Sequence, residues 1–214
     1  MAKPRKGVFV SALGQDVVLL DVETDSYLAL VDAVEPAFGD RCGDLLRLNA
    51  VSETALLEAG LFEHGAPPRL PPTRLPRPVE AFVDLPLAPV GPRDLLDLFV
   101  AVLGAMTRLR SRRPCATYLA VEDTAGHGSA DAALSAALAK LRTLRLALPL
   151  PTRCLPASLM TCIFLGRKGI ETDIVFAVRS HPFEAHCWVE HRGAVIDDEV
   201  DRLRAFSRIA TGRL

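Results

Sequence analysis

Residues 151–169, PTRCLPASLMTCIFLGRKG, decide how the chain is organised. They read as a loop entering a helix. Pro156 fits the first turn because early helix amides have no intrahelical partner, Leu155, Leu159 and Phe164 supply an inward face, and Gly166 or Gly169 ends the element. Cys154 then stands at or just before the first turn. The amino end of a helix carries partial positive charge and unpaired amide donors, which favour a thiolate and can stabilise an oxyanion on an attacked carbonyl. Cys162, two turns deeper, reads as a small core residue.

Downstream, ETDIVFAVR at 171–179 and AHCWVEH at 185–191 predict two strands, followed by AVIDD at 194–198. A three-residue turn with Gly193 in the left-handed conformation would pair Glu190 with Ala194 and set His186 opposite Asp198. In that register Trp188 and Glu190 share the face of His186, while Cys187, Val189 and His191 take the other. A two-residue turn shifts the ladder by one and brings Asp197 opposite Trp188. A thiol nucleophile needs an imidazole to exchange protons with it, and the imidazole needs a carboxylate or amide to hold its tautomer. Cys154, His186 and Asp198 supply those parts in that order, with Asp197 as the alternative acid. The bland reading is a buried Cys, a core His and a surface Asp, as most proteins contain. A zinc site could draw on Cys154, Cys187, His181, His186 and His191, but no CxxC or HxxxH pair anchors one, so no metal is expected.

Composition sets the frame for that chemistry. The chain has 214 residues, half of them hydrophobic, enough to bury a core in one or two domains. Its longest apolar stretches, such as LLDLFVAVLGAM, are interrupted by Asp97 and fall short of the ~20 residues of a membrane span. MAKPRKGVFV lacks the apolar run and cleavage site of a signal peptide, so the expectation is a cytoplasmic protein. Five cysteines, an odd number without a repeated short spacing, suit reduced thiols rather than a disulfide framework. The single Gly cluster at 126–128, GHG, lacks the Lys and Ser or Thr of a phosphate loop, and no cofactor is expected.

APPRLPPTRLPRP, residues 66–78, packs six prolines into thirteen positions and reads as a semi-rigid spacer. It suggests a module over 1–65, a linker over 66–80 and a second domain over 81–214. The first module carries five basic against eleven acidic residues. GVFVSAL, DVVLLDV and SYLALV predict a three-stranded meander. Asp32 followed by Glu35 suggests a capped helix through Phe38, CGDLLRL a second helical fragment, and Ser52 precedes a third helix with Leu56, Leu57 and Leu61 on one face. The predicted module is winged-helix-like. Its acidity argues against nucleic acid, whose affinity comes from cations placed on phosphates. A strand edge at Tyr27, Leu28, Ala29 and Leu30 could instead take an extended peptide as an added strand. Equally, Leu28 and Leu30 could simply face the core.

In the second half, Leu95, Leu96, Phe99, Val102, Leu103 and Met106 recur at helical spacing between Pro92 and Arg110, predicting a core-forming helix. Arginines at 108, 110, 112 and 113 close it where the helix dipole favours cations. Ser129 is positioned to cap another helix carrying Leu134, Leu138 and Leu141.

RCLPASL, a strand ending in AVR, and HPFEAHCWVEHRGAVIDD together resemble the core of the lasso-peptide leader peptidases, the B proteins, whose fold is similar to that of bacterial transglutaminase-like cysteine proteases. The resemblance implies an α+β chain in which a winged-helix-like recognition module precedes a papain-like or transglutaminase-like cysteine protease domain. It implies Cys154 as nucleophile, His186 as base and Asp198 as the orienting acid. Cys187 departs from the pattern, standing where a small residue such as Ala is common, and Asp197 adds a second acid. The resemblance further implies that the first module captures the leader along Tyr27, Leu28 and Leu30, with Leu56 and Leu57 walling the groove. Its implied partners are a lasso-peptide precursor and a separate ATP-dependent, asparagine-synthetase-like cyclase. A transglutaminase and a non-catalytic leader-binding module are the alternatives.

Overall fold

In the computed structural model, which describes residues 1–35, 45–68, 77–78, 85–110 and 132–214, four strands open the chain: Ala2–Pro4 (β1), Val8–Leu13 (β2), Asp16–Asp21 (β3) and Ser26–Leu30 (β4). The expected meander is present, in the order β2-β3-β4. Every residue of β3 is buried, so the middle strand is covered on both faces. Val17 and Leu19 of β3 pack with Val8 and Val10 of β2 in the core, and the register sets Leu19 beside Leu28 and Val17 beside Leu30. The β3–β4 turn is held by one buried acid: Asp21 accepts from Arg5, from Thr24 Oγ1 and from the Glu23 amide at 2.9–3.0 Å. Among the described residues, β4 pairs only with β3 and forms the edge of this sheet.

The helices expected next differ. Asp32 does not cap a helix; its φ is +52° and its amide donates to Asp16 Oδ1. Val34 and Glu35 give their amides to Gln15 and Arg47, and Val34 forms a β-bridge with Leu48. Asp32 at positive φ lacks the extended conformation of an N-cap, and the bridge holds Val34 in a strand-like pairing rather than a helical turn. The remainder of that expected helix, through Phe38, lies outside the described residues. Leu45 to Leu48 is likewise not helical, and Leu46 donates to the Pro68 carbonyl. The third helix is real, Ala50–Glu58 (α1), but its cap is Asn49, whose Oδ1 accepts the Ser52 amide at 2.8 Å. Phe62–His64 (β5) then pairs antiparallel with β1, a pairing the sequence did not suggest.

Arg77–Pro78 (β6) lies beside a later strand in parallel. Three helices follow: Pro92–Leu109 (α2), Ala132–Ala147 (α3) and Cys154–Gly166 (α4). Leu134, Leu138 and Leu141 of α3 are buried as expected, while Ser129 lies outside the described residues. The inward face of α2 is the reverse of the expected one. Leu95, Leu96, Phe99, Leu103 and Met106 are exposed, Phe99 at 65 %, and Asp94, Asp97, Leu98, Ala101 and Ala105 are buried. Two features explain the reversal. Asp94 and Asp97 form a buried ion network with Lys140, Lys168 and Arg167 at 2.7–3.3 Å. Small residues also let α2 approach α4, so that a Cβ added at Gly104 would come within 3.1 Å of Ile163.

Asp173–Arg179 (β7), Glu184–His191 (β8), Ala194–Val195 (β9) and Ser207–Arg213 (β10) complete a five-stranded sheet in the order β10-β7-β8-β9-β6, with a short helix, Val200–Leu203 (α5), before β10. The chain divides into two compact units. One comprises Met1–Arg74, Phe176–Ala185 and Ala205–Ala210; the other comprises Leu75–Val175, His186–Arg204 and Thr211–Leu214. Among the described residues no helix is long and apolar enough to cross a membrane.

Candidate active site

The first helical bond of α4 runs from the Ala157 amide to the Arg153 carbonyl. Cys154 is therefore the first residue of the helix, and the Cys154 and Leu155 amides precede any intrahelical bond. Pro156, which has no N–H, costs nothing there. The rest of α4 anchors this terminus, because Leu159, Met160, Phe164 and Leu165 are buried without measurable exposure. Cys162 is buried as well, and burial pushes its thiol up to about 12, which keeps it protonated and inert.

Strand β8 brings His186 to that helix end. The His186 ring is 7 % exposed, and its Nε2 lies 2.5 Å from Asp198 Oδ2. With Nε2 donating to the carboxylate, Nδ1 is the ring nitrogen left for the Cys154 sulfur, which helps to raise the imidazole. Trp188 lies beside the imidazole, ring centroids 6.3 Å apart, and donates its indole N–H to Glu190 at 2.8 Å. His186, Trp188 and Glu190 thus share a face, as the strand period requires.

The hairpin that leads to Asp198 does not have the expected turn. His191 pairs with Ala194 and Glu190 with Val195, so the turn holds two residues, Arg192 and Gly193, at φ +51° and +81°. This is the geometry of a tight hairpin with both central residues left-handed. In that register the ladder would set Asp198 opposite Cys187, one position short of His186, yet the Asp198 carboxylate still reaches the imidazole. The reason lies in where β9 stops. The strand ends at Val195, the chain bends at Asp197 and Asp198, and Asp198 leaves the ladder altogether. Asp198 Oδ1 accepts the Glu199 amide at 2.7 Å and Oδ2 takes the imidazole.

Electrostatics around the sulfur follow from these contacts. The Cys154 thiol is lowered to about 4, first by a hydrogen bond from the Cys187 thiol and then by one from His186. His186 is raised to about 9, first by its bond to Asp198 and then by Cys154. Burial raises the Asp198 carboxyl, but the bonds from His186 and the Glu199 amide outweigh it, and the net shift is downward. Cys187 moves well above the ordinary thiol range because it donates to Cys154 and is itself buried, so it keeps its proton. At neutral pH the arrangement is a thiolate and imidazolium pair, with a carboxylate behind the ring.

Two contributors were missed in the sequence. Cys187 looked like a departure on the far face of its strand, but its buried thiol, which donates to Ser158 Oγ at 4.0 Å, is the first contributor to the lowering of the Cys154 thiol. Ser158, four residues after Cys154, faces the site one turn down the helix, with Oγ 3.4 Å from Asp197 Oδ2 and 3.5 Å from the Cys187 carbonyl. The i, i+4 spacing from Cys154 was the available signal. Asp197 is not the partner of the imidazole: its Oδ1 accepts the Val189 amide at 2.7 Å. Among the described residues no cluster of three or more His, Cys, Asp or Glu side chains could hold a metal ion.

The residues proposed for peptide capture are dispersed by burial. Leu28 is 40 % exposed on β4, the edge strand of its sheet among the described residues, and Tyr27 and Leu30 are partly buried. Tyr27 packs edge-on against Phe183, ring centroids 6.1 Å apart. Leu57 packs partly against the core, and Leu56 lies inside it at 1 % exposure.

A cysteine at a helix terminus beside a strand-borne histidine and an acid is an arrangement for acyl chemistry through a thioester. The chain belongs to the transglutaminase-like superfamily, whose family model matches residues 98–211. That membership points to cysteine protease or acyltransferase activity. No curated protein and no solved structure matches the chain.

The paired shifts define a pH window that needs no substrate to measure. Between about 4 and about 9 the Cys154 sulfur should be a thiolate, so alkylation by iodoacetamide is expected to persist at pH 5 and fall only toward pH 4. His186→Ala should move that acid limb upward by roughly two pH units. A Cys154 profile titrating near 9 in the unsubstituted protein would contradict the ion pair.

Proposed function

We propose that the chain is a cysteine peptidase that binds a lasso-peptide precursor and removes its leader. The observation that carries this reading is the connected line from Cys154, at the first position of α4, through His186 to Asp198. In the proposed reaction the Cys154 thiolate adds to the scissile carbonyl while the first amides of α4 stabilise the oxyanion. The His186 imidazolium gives its proton to the leaving amine, and a thioester forms. Neutral His186 then takes a proton from water attacking the thioester, and the leader departs as a carboxylic acid. Asp198 holds the ring with Nδ1 toward the sulfur throughout. The freed core peptide would pass to an ATP-dependent, asparagine-synthetase-like cyclase.

Incubating the protein with a lasso-peptide precursor and weighing the products tests this reading. Hydrolysis gives two fragments whose masses sum to the precursor plus one water. A mass gain from an added amine, or a crosslink, would instead assign the transglutaminase reaction, and binding without a change of mass would assign a delivery module.

Residues 1–65 are proposed as the leader-recognition element, with β4 receiving the leader as an added strand. Support comes from the position of β4 at the edge of its sheet among the described residues and from Tyr27, Leu28 and Leu30 along it; Leu57 and Leu56 pack with the core beneath the sheet's residues Val17 and Leu19. Point substitutions test this better than truncation, because Phe176–Ala185 and Ala205–Ala210 belong to the same compact unit as the amino-terminal residues. Leu28→Asp should weaken leader binding by about tenfold, roughly 1.4 kcal/mol, while leaving Cys154 alkylation untouched. Unchanged binding in both Leu28→Asp and Tyr27→Ala would remove β4 from the site.

A further inference from the structure

We infer that Asp197 is a positioning residue whose carboxylate, by taking the Val189 amide, ends strand β9 and delivers Asp198 to His186. The inference rests on the Cys154, His186 and Asp198 reading of the site, and it assigns the neighbouring acid a separate task.

The hydrogen bonds show how the strand is ended. A two-residue hairpin that pairs His191 with Ala194 and Glu190 with Val195 should next pair Val189 with Ile196 through two main-chain bonds. One of them is made: the Ile196 amide donates to the Val189 carbonyl at 3.0 Å. The returning donor, the Val189 amide, goes instead to Asp197 Oδ1 at 2.7 Å. A side-chain carboxylate has replaced the main-chain carbonyl of the next ladder step. Continuing the ladder would set Asp198 opposite Cys187, one position short of His186. Bending at Asp197 takes Asp198 out of that register, so that its Oδ2 meets His186 at 2.5 Å and its Oδ1 takes the Glu199 amide.

The second carboxylate oxygen reaches the nucleophile's own helix. Asp197 Oδ2 lies 3.4 Å from Ser158 Oγ, one turn after Cys154, and Ser158 Oγ is also 3.5 Å from the Cys187 carbonyl. One acid therefore joins the strand of the base, the bend of the orienting acid and the helix of the thiol. Burial raises the Asp197 carboxyl to about 6, against the Val189 amide bond and the field of Arg145 of α3, which favour the ionised form; Arg145 itself donates to Thr161 of α4 at 2.6 Å. The role differs from that of an acid partner for imidazole. A positioning residue needs a well-placed acceptor, whereas the imidazolium needs a charge.

That difference supplies the test, read as the pH profile of Cys154 alkylation by iodoacetamide in the full chain, with thermal unfolding recorded alongside. Asp197→Ala removes the acceptor and should slow alkylation at pH 5 by about tenfold, by shifting the acid limb upward as His186 loses its carboxylate. Asp197→Asn keeps an acceptor for the Val189 amide and should restore the rate to within about threefold of the parent. Should Asp197→Ala fail to fold, Asp197→Asn decides alone: retention of the acid limb supports the inference, and a tenfold loss overturns it by showing that the charge was required. If His186→Ala shifts the profile and Asp197→Ala does not, the inference falls while the triad stands. If His186→Ala shifts nothing, both fall together.

Discussion

Under the proposed leader-peptidase reaction, replacing Cys154 with alanine is expected to lower peptide-bond cleavage by roughly ten-thousand-fold while leaving precursor binding within about twofold of the parent. The size follows from what the sulfur does. It is the only described thiol moved toward the thiolate, since Cys162 and Cys187 are both shifted the other way. The helix terminus and the imidazolium remain in the alanine variant, but neither can form the thioester. Binding should persist because the residues proposed for leader capture lie on β4, outside the triad. Product masses over time together with a binding isotherm check both halves. Cleavage at the parent rate would remove Cys154 from the mechanism, and loss of both properties together would point to misfolding.

Lys168→Met should destabilise the protein by about 3 kcal/mol, near the lower end for breaking a buried ion network by removing one partner. Lys168 Nζ bridges Asp94 at 2.7 Å and Asp97 at 3.2 Å, and both acids are nearly inaccessible, with side-chain exposures of 7 % and 5 %. Methionine fills the space but leaves Asp94 to Lys140 and Asp97 to Arg167. For a chain of this size the loss corresponds to a melting temperature lower by about 9 °C. Lys140→Met is the control: its amine is 35 % exposed and pairs with Asp94 alone, so the drop should be clearly smaller. Both acids are held below their ordinary value, burial opposing the shift and the cationic partners prevailing. Their contribution is complete above the unfolded carboxylate value of 3.8 and disappears only as pH falls through the lower folded values. The parent and Lys168→Met should therefore converge in stability under strongly acidic conditions. Equal melting temperatures at neutral pH would show the network to be neutral.

What could be read in advance followed the strength of local signals. The meander was legible because β2, β3 and β4 are β-rich runs between polar turns, and α4 was legible because Pro156, an apolar face and two glycines frame it. Cys154 and His186 were reachable from position on an element. The face of α2 was not, because periodicity ranks apolar residues above acids. Two aspartates at i, i+3 with cations arriving from α3 and α4 outweighed six hydrophobic side chains, and those cations are distant in sequence. The Asp198 contact was anticipated for a reason that does not hold. The choice rested on a three-residue turn, whereas the turn has two residues and the contact depends on a bend that ladder counting does not represent. The absent helix at Asp32 follows from the left-handed φ of Asp32 and the Val34 bridge to Leu48, a long-range pairing that a local capping pattern does not encode.

The tight hairpin also limits how this chain can vary in length. A residue inserted between His191 and Ala194 would displace every later position by one step against β8, separating the Asp197 carboxylate from the Val189 amide and Asp198 from His186 together. Substitution at the turn carries a milder penalty, paid in backbone strain at Arg192 or Gly193. Insertions and deletions at this loop should therefore be purged more strongly than point changes, so that a surface turn, ordinarily the most permissive place for indels, behaves here as a fixed-length spacer for the His186–Asp198 contact.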